Sequence, residues 1–209
     1  MVSRASSRIY LVGSLLWTVA CQQREAPTHT PPAARAETST RAAVAAPDPI
    51  ARADAAAKKL GGALKARLVE AMGQGGPPSA VRVCADEAPS IAARVRGETG
   101  VSVGRASLRP RSPGNVPPEW VGAWLSAQGE RKAEGLTGTS TVVDTATGRV
   151  ARVLKPIAIE ALCLACHGDP ASIAPEVSAV LKTTYPADRA LGYALGDLRG
   201  ALWAEAPLP

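Results

Sequence analysis

Five consecutive residues constrain this chain more than any others: Cys163-Leu164-Ala165-Cys166-His167. Two cysteines three apart, with histidine directly after the second, form the attachment pattern for a c-type haem. On one helical turn, residues i and i+3 share a face, so both sulfurs reach one edge of a porphyrin. The next residue projects beneath the macrocycle, where an imidazole can bind iron as the proximal ligand. Two other readings use the same residues: a thioredoxin-type redox pair, and half of a zinc site. The first expects a βαβ context that the neighbouring sequence does not supply. The second needs two more ligands, and outside the motif the chain offers only His29, Cys21 and Cys84 as further Cys or His.

The start of the chain reads as an address. Arg4 and Arg8 form a basic n-region, and Ile9 to Ala20 is an apolar stretch too short to span a bilayer comfortably. It ends at Thr18-Val19-Ala20-Cys21, which resembles a bacterial lipoprotein cleavage box with Thr18 in place of the usual leucine. The expectation is a signal peptide over 1–20 and an exported, periplasmic protein held to the membrane by lipid on Cys21. Haem c is also attached outside the bacterial cytoplasm, so the two signals agree. Losing Arg4 and Arg8 takes the formal net charge from +6 to +4. No Lys/Arg cluster is interleaved with aromatics, which excludes nucleic acid as an expected partner.

Residues 21–50 are rich in Ala, Pro and Thr without hydrophobic period and read as a flexible tether carrying His29. The globular part is expected over 51–209. Aromatics make up 3% of the chain and phenylalanine is absent, so the core must be built from Ala, Val and Leu. Leu60, Leu64, Leu68 and Met72 mark a helix over 51–73, stopped by Gly75-Gly76-Pro77-Pro78, with Ser79 capping the next. Val81, Cys84, Ala88, Ile91 and Val95 form a second helical stripe, interrupted at Pro89. Residues 101–107 alternate like a strand and run into a loop rich in Pro and Arg. A helix carries Trp120, Val121, Trp124 and Leu125, and Thr139–Val143 and Arg149–Ile157 read as a hairpin. After the cysteine motif come a helix with Ile173, Val177, Val180 and Leu181, and a closing strand from Leu198 to Glu205. This order predicts an α+β domain.

Several stretches resemble one family. They are Ala80-Val81-Arg82-Val83-Cys84 with Ala88-Pro89-Ser90-Ile91-Ala92; Gly104 to Arg111; Leu154-Lys155-Pro156-Ile157; the Cys163–Gly168 stretch; and Tyr185-Pro186-Ala187-Asp188 with Gly192-Tyr193 and Gly196 to Ala201. Together they are similar to the exported single-haem c-type proteins with a PAS-like fold, over most of residues 79–201. The resemblance implies a PAS-like antiparallel sheet flanked by helices and carrying one covalent haem c. It also implies that Cys84 binds the iron opposite His167. From the residues alone, Cys84 reads equally as a small core residue on an apolar stripe, and Met72 is the rival ligand. A thiolate ligand gives a low reduction potential. Arg105, Arg109 and Arg111 are candidates to neutralise the haem propionates, the alternative being a solvated basic loop. Asp197 and Arg199 read as a structural pair.

The cofactor-binding set is therefore Cys163, Cys166, His167, Cys84, Arg105 and Arg111, with His167 and Cys84 on the metal. The leading expectation is electron transfer with an unidentified redox partner protein. The alternative is a redox or gas sensor that acts through a partner, although no kinase or other output segment is recognisable. No enzymatic activity is expected, because no globular histidine remains for acid–base work outside the motif.

Overall fold

The computed structural model describes residues 48–208; the export signal, Cys21 and His29 lie outside them. Helix α1 (Pro49–Asp86) opens with Asp48 as its N-cap, whose carboxylate accepts from the amides of Ile50 and Ala51 at 3.4 and 3.3 Å. Pro49 occupies the first turn, where a missing N–H costs nothing. The helix kinks at Gly75 and Gly76. Gly76 adopts φ +66°, open to glycine without strain. Pro77 and Pro78 then restart it, so the second segment begins with prolines rather than with the expected cap at Ser79. Helix α2 (Ala88–Thr99) begins at the predicted break, with Pro89 in its first turn, and ends on Gly100 in the left-handed region.

Strand β1 (Ser102–Ala106) is followed by the Arg/Pro loop and helix α3 (Glu119–Gln128), and strands β2 (Thr139–Thr145) and β3 (Gly148–Ala158) form the predicted hairpin. A three-residue 3-10 turn (Ala161–Cys163) and the one-turn helix α4 (Leu164–His167) carry the cysteine motif. Helix α5 (Pro175–Thr184) and strand β4 (Leu198–Pro207) complete the chain. All pairings are antiparallel, in the order β1-β4-β3-β2, so the last strand inserts between β1 and β3. The architecture is α+β.

Each strand sends alternate residues to opposite faces. Ala151, Val153, Ala204, Ala206 and Val103 meet Ala53, Ala56, Ala57 and Leu60 of α1, with Ile91 and Val95 of α2. Alanine on both sides lets α1 lie close to the sheet and accounts for a tight core without phenylalanine. The other face carries Ala106, Leu154 and Ala201, covered by Val121 and Leu125 of α3; Trp120 and Trp203 meet edge to face at 6.3 Å between centroids. Lys155 ties β3 to Asp54 of α1 at 2.5 Å. Beyond Leu60 the α1 stripe turns toward a cavity: Leu64 still packs on this core, and Leu64, Leu68 and Met72 line the cavity.

Candidate functional site

A cavity of about 430 Å³ lies between α1, the ends of β1, β3 and β4, and the cysteine motif. That is the size of a small-molecule site. Its wall is mostly aliphatic, from Leu64, Leu68, Met72, Ile157, Leu162 and Leu202. All six residues singled out from the sequence line it: Cys84, Arg105, Arg111, Cys163, Cys166 and His167. No disulfide joins the three cysteines.

The motif is held from both ends. Glu160 caps the turn that carries Cys163, its own amide donating to the Cys163 sulfur at 3.4 Å, while Lys65 on α1 grips the Glu160 carboxylate at 2.7 and 2.8 Å. After the motif, the amides of Tyr193 and Gly192 donate to the carbonyls of His167 and Gly168 at 2.9 and 2.8 Å. Gly192 has φ +72°, a conformation that favours glycine at this turn. Gly168 leaves no room for a side chain, since a Cβ there would sit 2.7 Å from the Leu164 carbonyl oxygen. The segment 185–197 therefore straps α4 against the cavity.

His167 is neutral. Burial, reinforced by the positive charges of Arg111 and Arg199, lowers its pKa to about 3. Its Nδ1–H donates to the Ala190 carbonyl at 2.7 Å, which leaves Nε2 unprotonated and free to donate a lone pair. Burial pushes the Cys166 thiol and the Tyr185 phenol up.

Arg111 is one of two buried polar residues among those described. Its Nε donates to Asp188 at 2.9 Å, and its Nη2 donates to the carbonyls of Cys166 and, at 3.3 Å, Ala190. Asp188 in turn accepts from the Ala190 amide at 2.7 Å. One guanidinium thus fixes both the second cysteine and the carbonyl that orients His167. Arg109 acts similarly from outside, donating to the Arg189 carbonyl at 3.2 Å and to that of Leu191, with its guanidinium 4.3 Å from the Tyr193 ring centroid. Two of the arginines expected to face carboxylates of a ligand therefore spend their donors on the protein.

Asp197 and Arg199 do not pair. Asp197 binds Lys132 and the Ala194 amide, and Arg199 lines the cavity. Met72, the rival ligand, also lines it, and Tyr185 joins the wall. The available signal for Tyr185 was its place in the Tyr-Pro-Ala-Asp stretch, and for Arg199 its place in the Gly196 to Ala201 stretch.

The chain matches the Tll0287-like family over residues 20–207. The chain belongs to the Tll0287-like family. A solved structure described as that of the cyanobacterial haem protein Tll0287 is 26% identical, with a TM-score of 0.50 over 61% of this chain and 73% of that one. Comparison with curated proteins gives no match. The family confirms the resemblance read from the Cys84, Arg105–Arg111, Cys163–Gly168 and Tyr185–Ala201 stretches.

Proposed function

We propose that this member of the Tll0287-like family is an exported cytochrome that carries one covalent haem c on a PAS-like scaffold. Cys163 and Cys166 would hold the haem through thioethers, and His167 and Cys84 would be the side chains that bind its iron. The supporting observation is the convergence of Cys84, Cys163, Cys166 and His167 on one aliphatic cavity, although Cys84 lies on a different helix far away in the chain. No group of three or more Cys, His, Asp or Glu among the described residues gathers closely enough to hold a bare ion. A wide flat ligand uses such a spread donor set and a zinc ion does not. The neutral His167, its Nδ1–H donating to the Ala190 carbonyl, is held as metal-binding imidazoles usually are, with the other nitrogen left to bind. The antiparallel sheet also argues against the thioredoxin reading, which expects a parallel βαβ unit.

When bound, the haem would supply a one-electron iron couple, and a thiolate ligand from Cys84 would favour the ferric form and a low potential. The chain's own residues exclude water with the aliphatic wall, hold the imidazole neutral and fix its orientation. The reading gives the protein no reaction to catalyse; its partner is a redox protein, and Cys21 is its lipid anchor on the periplasmic side. A second reading, a redox or gas sensor, draws support from the position of Cys84. It sits in the last turn of α1, beside the α1–α2 break that Arg67 and Glu87 clamp at 2.7 and 2.8 Å. A ligand on a helix end can leave more easily than one in mid-helix.

The test is a pyridine haemochrome spectrum on protein matured in a periplasm, with extraction by acid acetone. Haem that stays with the polypeptide supports covalent attachment, and an iron-free protein refutes it. Cys84→Ala is expected to abolish the low-spin ferric thiolate signature, whereas Met72→Ala retains it; the opposite outcome moves the distal ligand to Met72. Carbon monoxide binding to the ferrous protein favours the sensor.

A further inference from the structure

Five cationic side chains line the cavity: Lys65, Arg67, Arg105, Arg111 and Arg199. Three have carboxylate partners, Glu160 for Lys65, Glu87 for Arg67 and Asp188 for Arg111. The other two do not. Among the described residues the Arg105 side chain makes no hydrogen bond or ion pair, its backbone being part of the β1–β4 ladder. Arg199 has one neutral acceptor, the Arg109 carbonyl at 3.3 Å, and stands 5.4 Å from the Tyr193 ring centroid. Burial pulls the Arg199 pKa below the usual guanidinium range, as expected for a charge withdrawn from water without a counterion. Two half-buried guanidinium groups without carboxylate partners, set against an aliphatic wall, suit an occupant that brings anionic groups of its own.

The backbone aims Arg199 there deliberately. Along β4, Leu202, Ala204 and Ala206 face α1, and Ala201 and Trp203 face α3. Strict alternation puts Arg199 on the α3 face. The β3–β4 register shifts between Ile157 and Ala158, pairing Ile157 with Gly200 and Ala158 with Leu198. Arg199 is the unpaired residue of that bulge, which turns it to the cavity side, where Arg105 of β1 also faces. Gly200 beside it permits the close approach of β1, since a side chain there would strike the Ala106 carbonyl.

We propose that Arg105 and Arg199 are the pair that receives the two carboxylates of the ligand, and that Arg111, favoured from the sequence, positions the motif instead. The proposal rests on the haem reading above, because haem is the flat, apolar ligand with two carboxylates that this motif takes. Guanidinium suits the task through its planar fork of donors.

The experiment compares matured holoprotein with Arg105→Leu, Arg199→Leu, Arg199→Lys and, as a charge control, Arg149→Gln on the exposed β2–β3 hairpin. Reduction potential and the resonance Raman propionate bending bands are the readouts. Removing a cation beside the carboxylates favours ferric iron, so each leucine variant is expected to shift the ferric/ferrous equilibrium about tenfold toward ferric, about 59 mV for one electron. Each also moves a propionate band. Arg199→Lys restores most of the potential but not the band, and Arg149→Gln changes neither. Haem-loaded leucine variants with parental potential and bands overturn the assignment while leaving the haem reading intact. If the leucine variants lose haem, an unshifted band in Arg199→Lys overturns it. A parent protein without haem overturns both.

Discussion

Arg111 offers the sharpest test of how the site is held. Its side chain is 10% exposed and that of its partner Asp188 is 8% exposed, so the pair lies in a low-dielectric setting. Replacing Arg111 with methionine keeps much of the volume but strands the Asp188 carboxylate with one remaining donor, the Ala190 amide. Breaking a buried pair from one side costs about 3–5 kcal/mol, because an uncompensated charge is left behind. For a domain of this size that corresponds to a fall in Tm of about 6–20 °C. Arg111→Lys recovers little, since a point charge cannot serve Asp188 and the Cys166 and Ala190 carbonyls together. The assay is urea unfolding of Arg111→Met, Asp188→Asn and the double variant, with haem content measured in parallel. The double variant is expected to cost less than the sum, with a coupling of about 0.5–3 kcal/mol. A loss under about 1 kcal/mol in Arg111→Met, or strict additivity, refutes the clamp.

Other consequences are equally direct. Gly200→Ala drives a methyl group into the Ala106 carbonyl at the β1–β4 pairing and is expected to destabilise by about 1–3 kcal/mol, read as a lowered urea midpoint with unchanged slope. Leu60→Ala empties a site between α1 and the sheet that is fully buried and is expected to cost about 2–5 kcal/mol; Leu68→Ala on the cavity wall costs clearly less in the haem-free chain, and equal losses contradict the division of the stripe. Asp54 is held below the usual carboxylate range by Lys155 and then Lys58, and Asp197 by Lys132. Carboxyls with lowered folded pKa values contribute stability above the unfolded value of about 3.9 and lose it as pH falls through the folded ones. Asp54→Asn/Asp197→Asn is therefore less stable than the parent near pH 6, by about 0.2–1 kcal/mol per pair given their partial exposure. That difference closes as pH falls from about 3.9 through the lower folded values; a gap that widens in acid contradicts the pairing.

Much of this molecule is legible along the chain because its signals are local. Helix periodicity marks α1, α2, α3 and α5, strand alternation marks the hairpin, and Pro89 and the Gly75-Gly76 step mark the breaks. The cysteine motif is legible as a candidate attachment site through its spacing. Ser79 misled because a polar residue after two prolines looks like a cap, while the prolines themselves suit the first helical turn.

What the linear pattern does not contain is the pairing of charges and the register of strands. Arg105, Arg109, Arg111 and Arg199 are chemically alike, and only the folded chain divides them: Arg111 reaches Asp188, Arg109 reaches the strap, and Arg105 and Arg199 are left facing the cavity. Arg199 owes its direction to one extra residue in β4, which reverses the face that alternation assigns. Spacing within a helix or strand is a short-range property of the backbone, so residue order suffices to determine it. Which cation meets which carboxylate, and where a bulge falls, depend on segments distant in sequence competing for the same space, and only tertiary packing decides that.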